Sequence, residues 1–301
     1  MTQRECSSAA RRARAGPPRS VHAHDTSTRE HGSPSIFELR TMIRTACATI
    51  LGLLTASSVL ADDFYRLDEA LPSSVDIRAT YPVFDFDTDG CLPSAGISRL
   101  GQQNGGLKPT GSITGGCRSG SFLETSNTLH RNACVRSGGD IYCGHFYALY
   151  FLKDQVTLLG GGHRHDWEHA AIWTKNGVAT HGGYSAHGKL YNQEIGALDQ
   201  QDGHMKIVYH KDGLLTHCMR FAKPGEVAEN AYGRFVTPNI ISWQVLWGDG
   251  LSNAQMRAKL DAFDYGSGTI PMRDDNFLGN LNTYKPASYP TFTSASLDSA
   301  G

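Results

Sequence analysis

The chain has 301 residues, with 28 Lys and Arg against 29 Asp and Glu. The resulting formal charge of −1 lacks the positive excess that a nucleic-acid-binding protein carries. Hydrophobic residues at 40% and 33 glycines describe a folded chain with many turns, which excludes wholesale disorder and collagen-like repeats.

Residues 1–41 are rich in Arg, Ser, Ala and His and have no apolar periodicity, so no structure is expected of them. They read as an upstream extension ahead of a biological start at Met42, or alternatively as a basic pre-extension or organelle transit peptide. Residues 42–61 have the layout of a secretory signal peptide. Arg44 lies near the start, an apolar run covers 46–60, and Val59 and Ala61 stand at the cleavage positions before Asp62. The run is too short for a membrane span, so the expected product is secreted and soluble. Residues 62–301 are then one domain, with its core over about 77–285.

Cys6 and Cys47 fall in the leader, leaving Cys91, Cys117, Cys134, Cys143 and Cys218. An oxidising compartment permits disulfides, and the first four cysteines lie in a Gly-, Ser- and Asn-rich stretch. Three pairings are open to them; Cys91 with Cys117 and Cys134 with Cys143 close the most local loops. Cys218, in the apolar alternation THCMRFA, reads as a buried structural thiol.

Strand signals dominate the remainder. Residues 141–152, 169–174 before the Asn176-Gly177 turn, 206–210 before Asp212-Gly213, and 217–222 all read as strands. One helix is expected over 252–265, capped by Ser252, with Leu251, Met256, Leu260 and Phe263 near helical spacing and Gly266 beyond its end. The fold class is mostly β, a β-sandwich carrying a few helices, without the βαβ alternation of a nucleotide-binding fold. The Ser-, Thr- and Pro-rich tail, 287–301, is expected to fray.

The densest chemistry is GGGHRHDWEHAAIW, 160–173. Read as a helix, its HxxEH segment from His165 to His169 is a zinc-protease motif. The three glycines before it and the strand-like run after it oppose a helix. Read as a strand, period two puts Arg164, Asp166 and Glu168 on one face. With Asp154 from the KDQ stretch and His163 from the glycine-rich turn, these carboxylates form an oxygen-rich pocket suited to Ca²⁺ or Mg²⁺. An Arg164 salt-bridge network without a metal is the alternative. A second acidic run, Asp85, Asp87 and Asp89 before Gly90, repeats the first half of a calcium loop. Gly96 stands where an EF-hand needs Glu, so the run is either a calcium-stiffened loop or a solvated turn.

Together these residues carry a resemblance. GHRHDWE (162–168) is similar to the signature of the necrosis- and ethylene-inducing-peptide-like proteins, secreted toxins of plant-associated fungi, oomycetes and bacteria. LYFLKDQ (149–155), FDFDTDGC (84–91), GGLKPTGS (105–112), HGGY (181–184) and DDNF (274–277) extend the similarity across 83–277. The resemblance implies a central β-sandwich flanked by helices, similar to the pore-forming actinoporins. It implies non-enzymatic lysis of plant plasma membranes after binding the sugar head group of glycosyl inositol phosphorylceramide. It also implies a divalent cation held by Asp154, His163, Asp166 and Glu168. The Cys91–Cys117 pair matches one widespread in the family, and Cys134–Cys143 with the acidic DxDxDG resembles the type-two subgroup.

The expectation is therefore a monomer that acts as a cytolysin at a membrane surface, with a non-lytic carbohydrate-binding protein as the rival reading. His181, Tyr184 and His187 are candidate sugar contacts. Trp243, with Trp247, is a candidate membrane contact or else part of the core. No GxSxG or P-loop motif is present, so nucleophilic hydrolysis has no anchor.

Overall fold

The long hairpin at the centre of the molecule explains most of its architecture. In the computed structural model, which describes residues 64–301, β3 (Asp140–Thr157) pairs with β4 (Gly160–Lys175) antiparallel along almost its full length. The proposed leader lies outside the described residues. Around the hairpin a six-stranded sheet runs in the order β10-β2-β3-β4-β5-β6, with β2 Thr128–Ser137, β5 Val178–Ala186, β6 Lys189–Glu194 and β10 Ile240–Ser242. A smaller sheet holds β1 (Val83–Phe86), β7 (Gln200–Gln201), β8 (His204–Lys211) and β9 (His217–Phe221).

Strand alternation makes two cores. Tyr147, Leu149 and Phe151 of β3, with Ala170 and Ile172 of β4, pack against Phe84, Phe86, Ile207, Tyr209 and Met219 of the smaller sheet. Phe146, Ala148 and Tyr150, with Ala171 and Trp173, face the other way, onto α1 (Asn253–Ala262) and α2 (Phe277–Tyr284) through Met256, Leu260, Phe277 and Leu281. The mostly-β expectation and the helix after Ser252 hold; a capping box with Gln255 starts that helix. The disulfides Cys91–Cys117 and Cys134–Cys143 form, the second between directly opposed residues of β2 and β3.

The tail corrects the sequence reading. Rather than fraying, it is pinned by buried Tyr289 and Phe292, by a bridge from Leu297 to Ala133, and by Asp298 on Arg131. A Ser- and Thr-rich composition hides two aromatic anchors and one ion pair made with β2.

Candidate functional site

The site sits where β3 and β4 leave the shared core. Asp154 lies opposite His163 in the ladder, and Phe151 lies opposite Asp166. Strict alternation would send His163 and Asp166 to opposite faces. His165 prevents this: its φ of +64° is left-handed backbone, uncommon for a non-glycine residue, and it turns the strand so that both side chains face Asp154. Gly162, at φ +93°, lies so close to the Asp154 carbonyl that any side chain there would collide with it.

One ligand atom from each of Asp154, His163 and Asp166 lies within 4.8 Å of the others. Both Asp154 oxygens accept the His217 backbone N–H at 2.9 Å, and Oδ1 also accepts from its Nδ1 at 2.7 Å. His163 Nδ1 donates to the His165 carbonyl at 2.6 Å, which leaves Nε2, 3.9 Å from Asp154 Oδ2, as the ligating nitrogen. Asp166 accepts the Tyr209 hydroxyl at 3.0 Å, and Tyr209 is stacked on Phe151. Glu168 accepts the Ser185 hydroxyl beside the cluster.

Electrostatically the group is unbalanced. Asp154, Asp166 and Glu168 are 1%, 5% and 8% exposed, and no Lys or Arg among the described residues forms an ion pair with them. Burial and the neighbouring Asp154 push Asp166 up to about 7. Burial, and then Asp166, hold Glu168 well above its ordinary value. A hard divalent cation fits this donor set, since it supplies the missing charge and takes oxygen and imidazole ligands. The cluster opens into a cavity of about 380 Å³ whose walls include His169, His187, Ser267, Thr269 and Asn280. His169 Nε2 and Trp167 Nε1 at this wall are buried without a hydrogen-bond partner.

Several expectations need correction. The HxxEH segment is a strand, where residues four apart stand about 13 Å from each other rather than one helical turn, so the zinc-protease reading fails. Arg164 donates to the carbonyls of Gly105 and Gly106, not to the carboxylates, which removes the salt-bridge alternative. The Asp85–Asp89 run does not converge. Asp85 is buried and accepts from Glu229 N–H and twice from Asn230, Asp87 lies 3.7 Å from Arg220, and Asp89 lies 3.7 Å from His217. Trp243 is fully buried in the helix-side core and cannot meet a membrane; the exposed indole is Trp247.

His181 and Tyr184 stand outside the cavity wall. His181 bonds Thr180 Oγ1 and meets Tyr289 edge-on, while Tyr184 packs on Tyr191 and Phe221. Sequence reasoning missed His217, Tyr209 and Ser185. They reach the site from other strands, His217 from 63 positions beyond Asp154, and no local spacing signals that contact.

The family model described as Necrosis inducing protein (NPP1) matches residues 77–284. NLP effector protein 10 of Phytophthora capsici is 30% identical over 206 residues, 64% of this chain and 76% of the relative. Necrosis-inducing protein NPP1 of Phytophthora nicotianae is 27% identical over 209 residues, 65% of this chain and 77% of the relative. Among solved structures, the non-toxic HaNLP3 protein superposes with a TM-score of 0.59 at 22% identity, covering 76% of this chain and 100% of that one. NLPPya in complex with mannosamine superposes with a TM-score of 0.56 at 22% identity, covering 74% and 97%. At that identity the likeness concerns the fold.

Proposed function

The chain belongs to the necrosis inducing protein (NPP1) family, and from that premise we propose a secreted, non-enzymatic cytolytic effector. It binds the sugar head group of glycosyl inositol phosphorylceramide on plant plasma membranes through a divalent-cation site. The observation that carries this reading is the convergence of two buried carboxylates, Asp154 and Asp166, with the half-buried His163, without a Lys or Arg partner among the described residues and beside a cavity. Ca²⁺ or Mg²⁺ bound there supplies a fixed positive charge that attracts sugar hydroxyl oxygens.

The chain's own residues do the rest. His217 holds Asp154, Tyr209 holds Asp166, and the His163 Nδ1 bond fixes its ring, so the ligands are oriented before any ion arrives. Glu168, kept by Ser185, is the fourth ligand and the third carboxylate of the set. The Asn280 amide, on the cavity wall, is a hydrogen-bonding group for hydroxyls. The mannosamine complex of NLPPya supports a sugar as the ligand class.

Membrane contact is supported by the turn tips. Leu158 and Leu159 form the two-residue turn of the β3–β4 hairpin, and Leu159 is 98% exposed. Leu214 and Leu215 occupy the exposed β8–β9 turn, which the Lys211 ammonium ties to the hairpin through the Val156 carbonyl. Exposed paired leucines are costly in water and suited to shallow insertion in lipid.

Dye leakage from vesicles containing plant glycosyl inositol phosphorylceramide tests the proposal. Leakage is expected to require divalent ion and to be lost with chelator and in Asp166→Asn; undiminished leakage in either case overturns it. The second reading, a non-lytic sugar-binding effector, is favoured by one observation, the superposition on the non-toxic HaNLP3. Leaf infiltration separates the two, because only the cytolysin kills tissue.

A further inference from the structure

A second cluster reaches the same cavity through His187 and is built from different donors. One ligand atom each from His187, Asp212 and Cys218 lies within 4.8 Å of the others. His187 is at the tip of the β5–β6 turn with φ +49°, followed by Gly188 at +76°, so a tight turn rather than a long loop presents its ring. Its Nε2 meets Asp212 Oδ2 at 2.9 Å. Asp212 is itself fixed in the β8–β9 turn, its N–H donating to the Thr216 carbonyl and its carbonyl accepting from Leu215.

Cys218, on β9, is the free cysteine among the described residues and is buried. Its Sγ is 3.7 Å from His210 Nε2. His210 Nδ1 faces the Lys211 carbonyl at 3.0 Å and must carry the ring proton, so Nε2 is bare and accepts from the thiol. A thiol that served only as packing would need no imidazole, carboxylate and base gathered around it.

We infer that His187, Asp212 and Cys218 form a second metal site, for a borderline divalent ion of the zinc class rather than the hard ion of the Asp154 site. Thiolate, imidazole and carboxylate are the donors such an ion prefers. Metal–ligand bonds of about 2.0–2.3 Å separate neighbouring tetrahedral ligands by about 3.3–3.6 Å, which the cluster reaches by small side-chain rotations. Binding forms the sulfur–metal bond and breaks S–H, the proton passing to His210 Nε2 and on to solvent. One thiolate and one carboxylate then neutralise the dication, and a fourth position stays open to water. Loading would tie the β5–β6 turn, which lines the cavity, to the β8–β9 hairpin.

The test is a titration of metal-free full chain, in a Cys6→Ser and Cys47→Ser background, with CoCl₂. A near-ultraviolet thiolate-to-cobalt charge-transfer band is expected in this protein and in its Asp166→Asn variant, and ZnCl₂ should bleach it while CaCl₂ does not. The band should vanish in Cys218→Ser, a near-isosteric change whose fold is checked by its thermal melt. In His187→Ala, at an exposed turn, cobalt affinity should fall by at least the roughly tenfold that losing even a supporting partner costs a metal site. Absence of the band in the parent, its persistence in Cys218→Ser, or unchanged affinity in His187→Ala each overturns the assignment.

Discussion

Two buried charge clusters lie on opposite faces of the large sheet, and they are solved in opposite ways. On the helix side, Arg131 of β2 is 2% exposed and fully answered. Asp298 takes its Nε and Nη2 at 3.0 and 2.8 Å, Nη1 donates to Asp274 and to the Met272 carbonyl, and the guanidinium lies over Trp243 and Phe277. On the other face, Asp154, Asp166 and Glu168 are equally buried but are met by hydroxyls, a backbone N–H and histidines. Desolvating charge is expensive in both places, and only the first recovers the cost within the chain. The first cluster is answered within the fold, and the second is left without a Lys or Arg among the described residues.

Arg131→Met should give the largest effect. It removes the two-bond partner of Asp298, leaves Asp274 only Arg257 and water, and should cost about 3 kcal/mol by chemical denaturation. A cost below about 1 kcal/mol would erase the distinction between the clusters.

Acid titration comes next. His145, fully buried beside His130, is pushed down to about 4 by burial, and His130 is also lowered well below its ordinary value by burial and by His145. Below an unfolded value of about 6.5 the unfolded chain binds protons that the folded chain refuses, so stability is complete above that pH and falls as pH drops toward 4. With divalent ion held saturating, His145 alone predicts a loss of about 3 kcal/mol across that window, and His145→Gln should flatten it. In ion-free protein the slope should be shallower. Asp166, raised to about 7, has the opposite sign: its contribution is present below about 4 and is lost as pH rises through 7. Equal slopes with and without ion would mean that the carboxylates do not hold the ion.

Much of this was legible in the sequence, for identifiable reasons. β3, β8 and β9 carry alternating apolar residues, and β4 ends at Asn176-Gly177, so periodicity finds them. β2, whose TLHRNACVRS reads as polar, was not foreseen because Arg131 and His130 are buried by partners far away in sequence. α2 escaped because Gly279, Asn280 and Asn282 interrupt its apolar stripe, while Asn280 and Asn282 bond the carbonyls of Pro271 and Phe292. The residues of the acidic site were readable by type, but their convergence depends on the left-handed His165, which an alternation rule assigns the wrong way. The tail failed for the same reason as β2, since its anchor is an ion pair across 167 positions.

The acidic side of the comparison is tested by Asp166→Asn. Divalent affinity should fall on the order of 100-fold, about 2.8 kcal/mol, in a calorimetric titration. The same change should raise the melting temperature of ion-free protein, because it removes a buried like-charge contact with Asp154. Lower ion-free stability would assign this carboxylate to the fold, as Arg131 is.

The smallest effect separates the two aspartates that serve Arg131. Asp298 holds it with two parallel bonds and is one-fifth exposed, whereas Asp274 gives it one bond, is half exposed and is shared with Arg257. A bidentate, poorly solvated partner contributes more than a screened one. Asp298→Asn should therefore cost about 1–2 kcal/mol and loosen the tail, seen as faster amide exchange around Leu297. Asp274→Asn should cost less than about 1 kcal/mol, because water and Asp298 keep the guanidinium satisfied. If the two costs were equal, the charge balance of this cluster would rest on the number of carboxylates and not on their geometry, and the contrast with the acidic site would reduce to a count of charges.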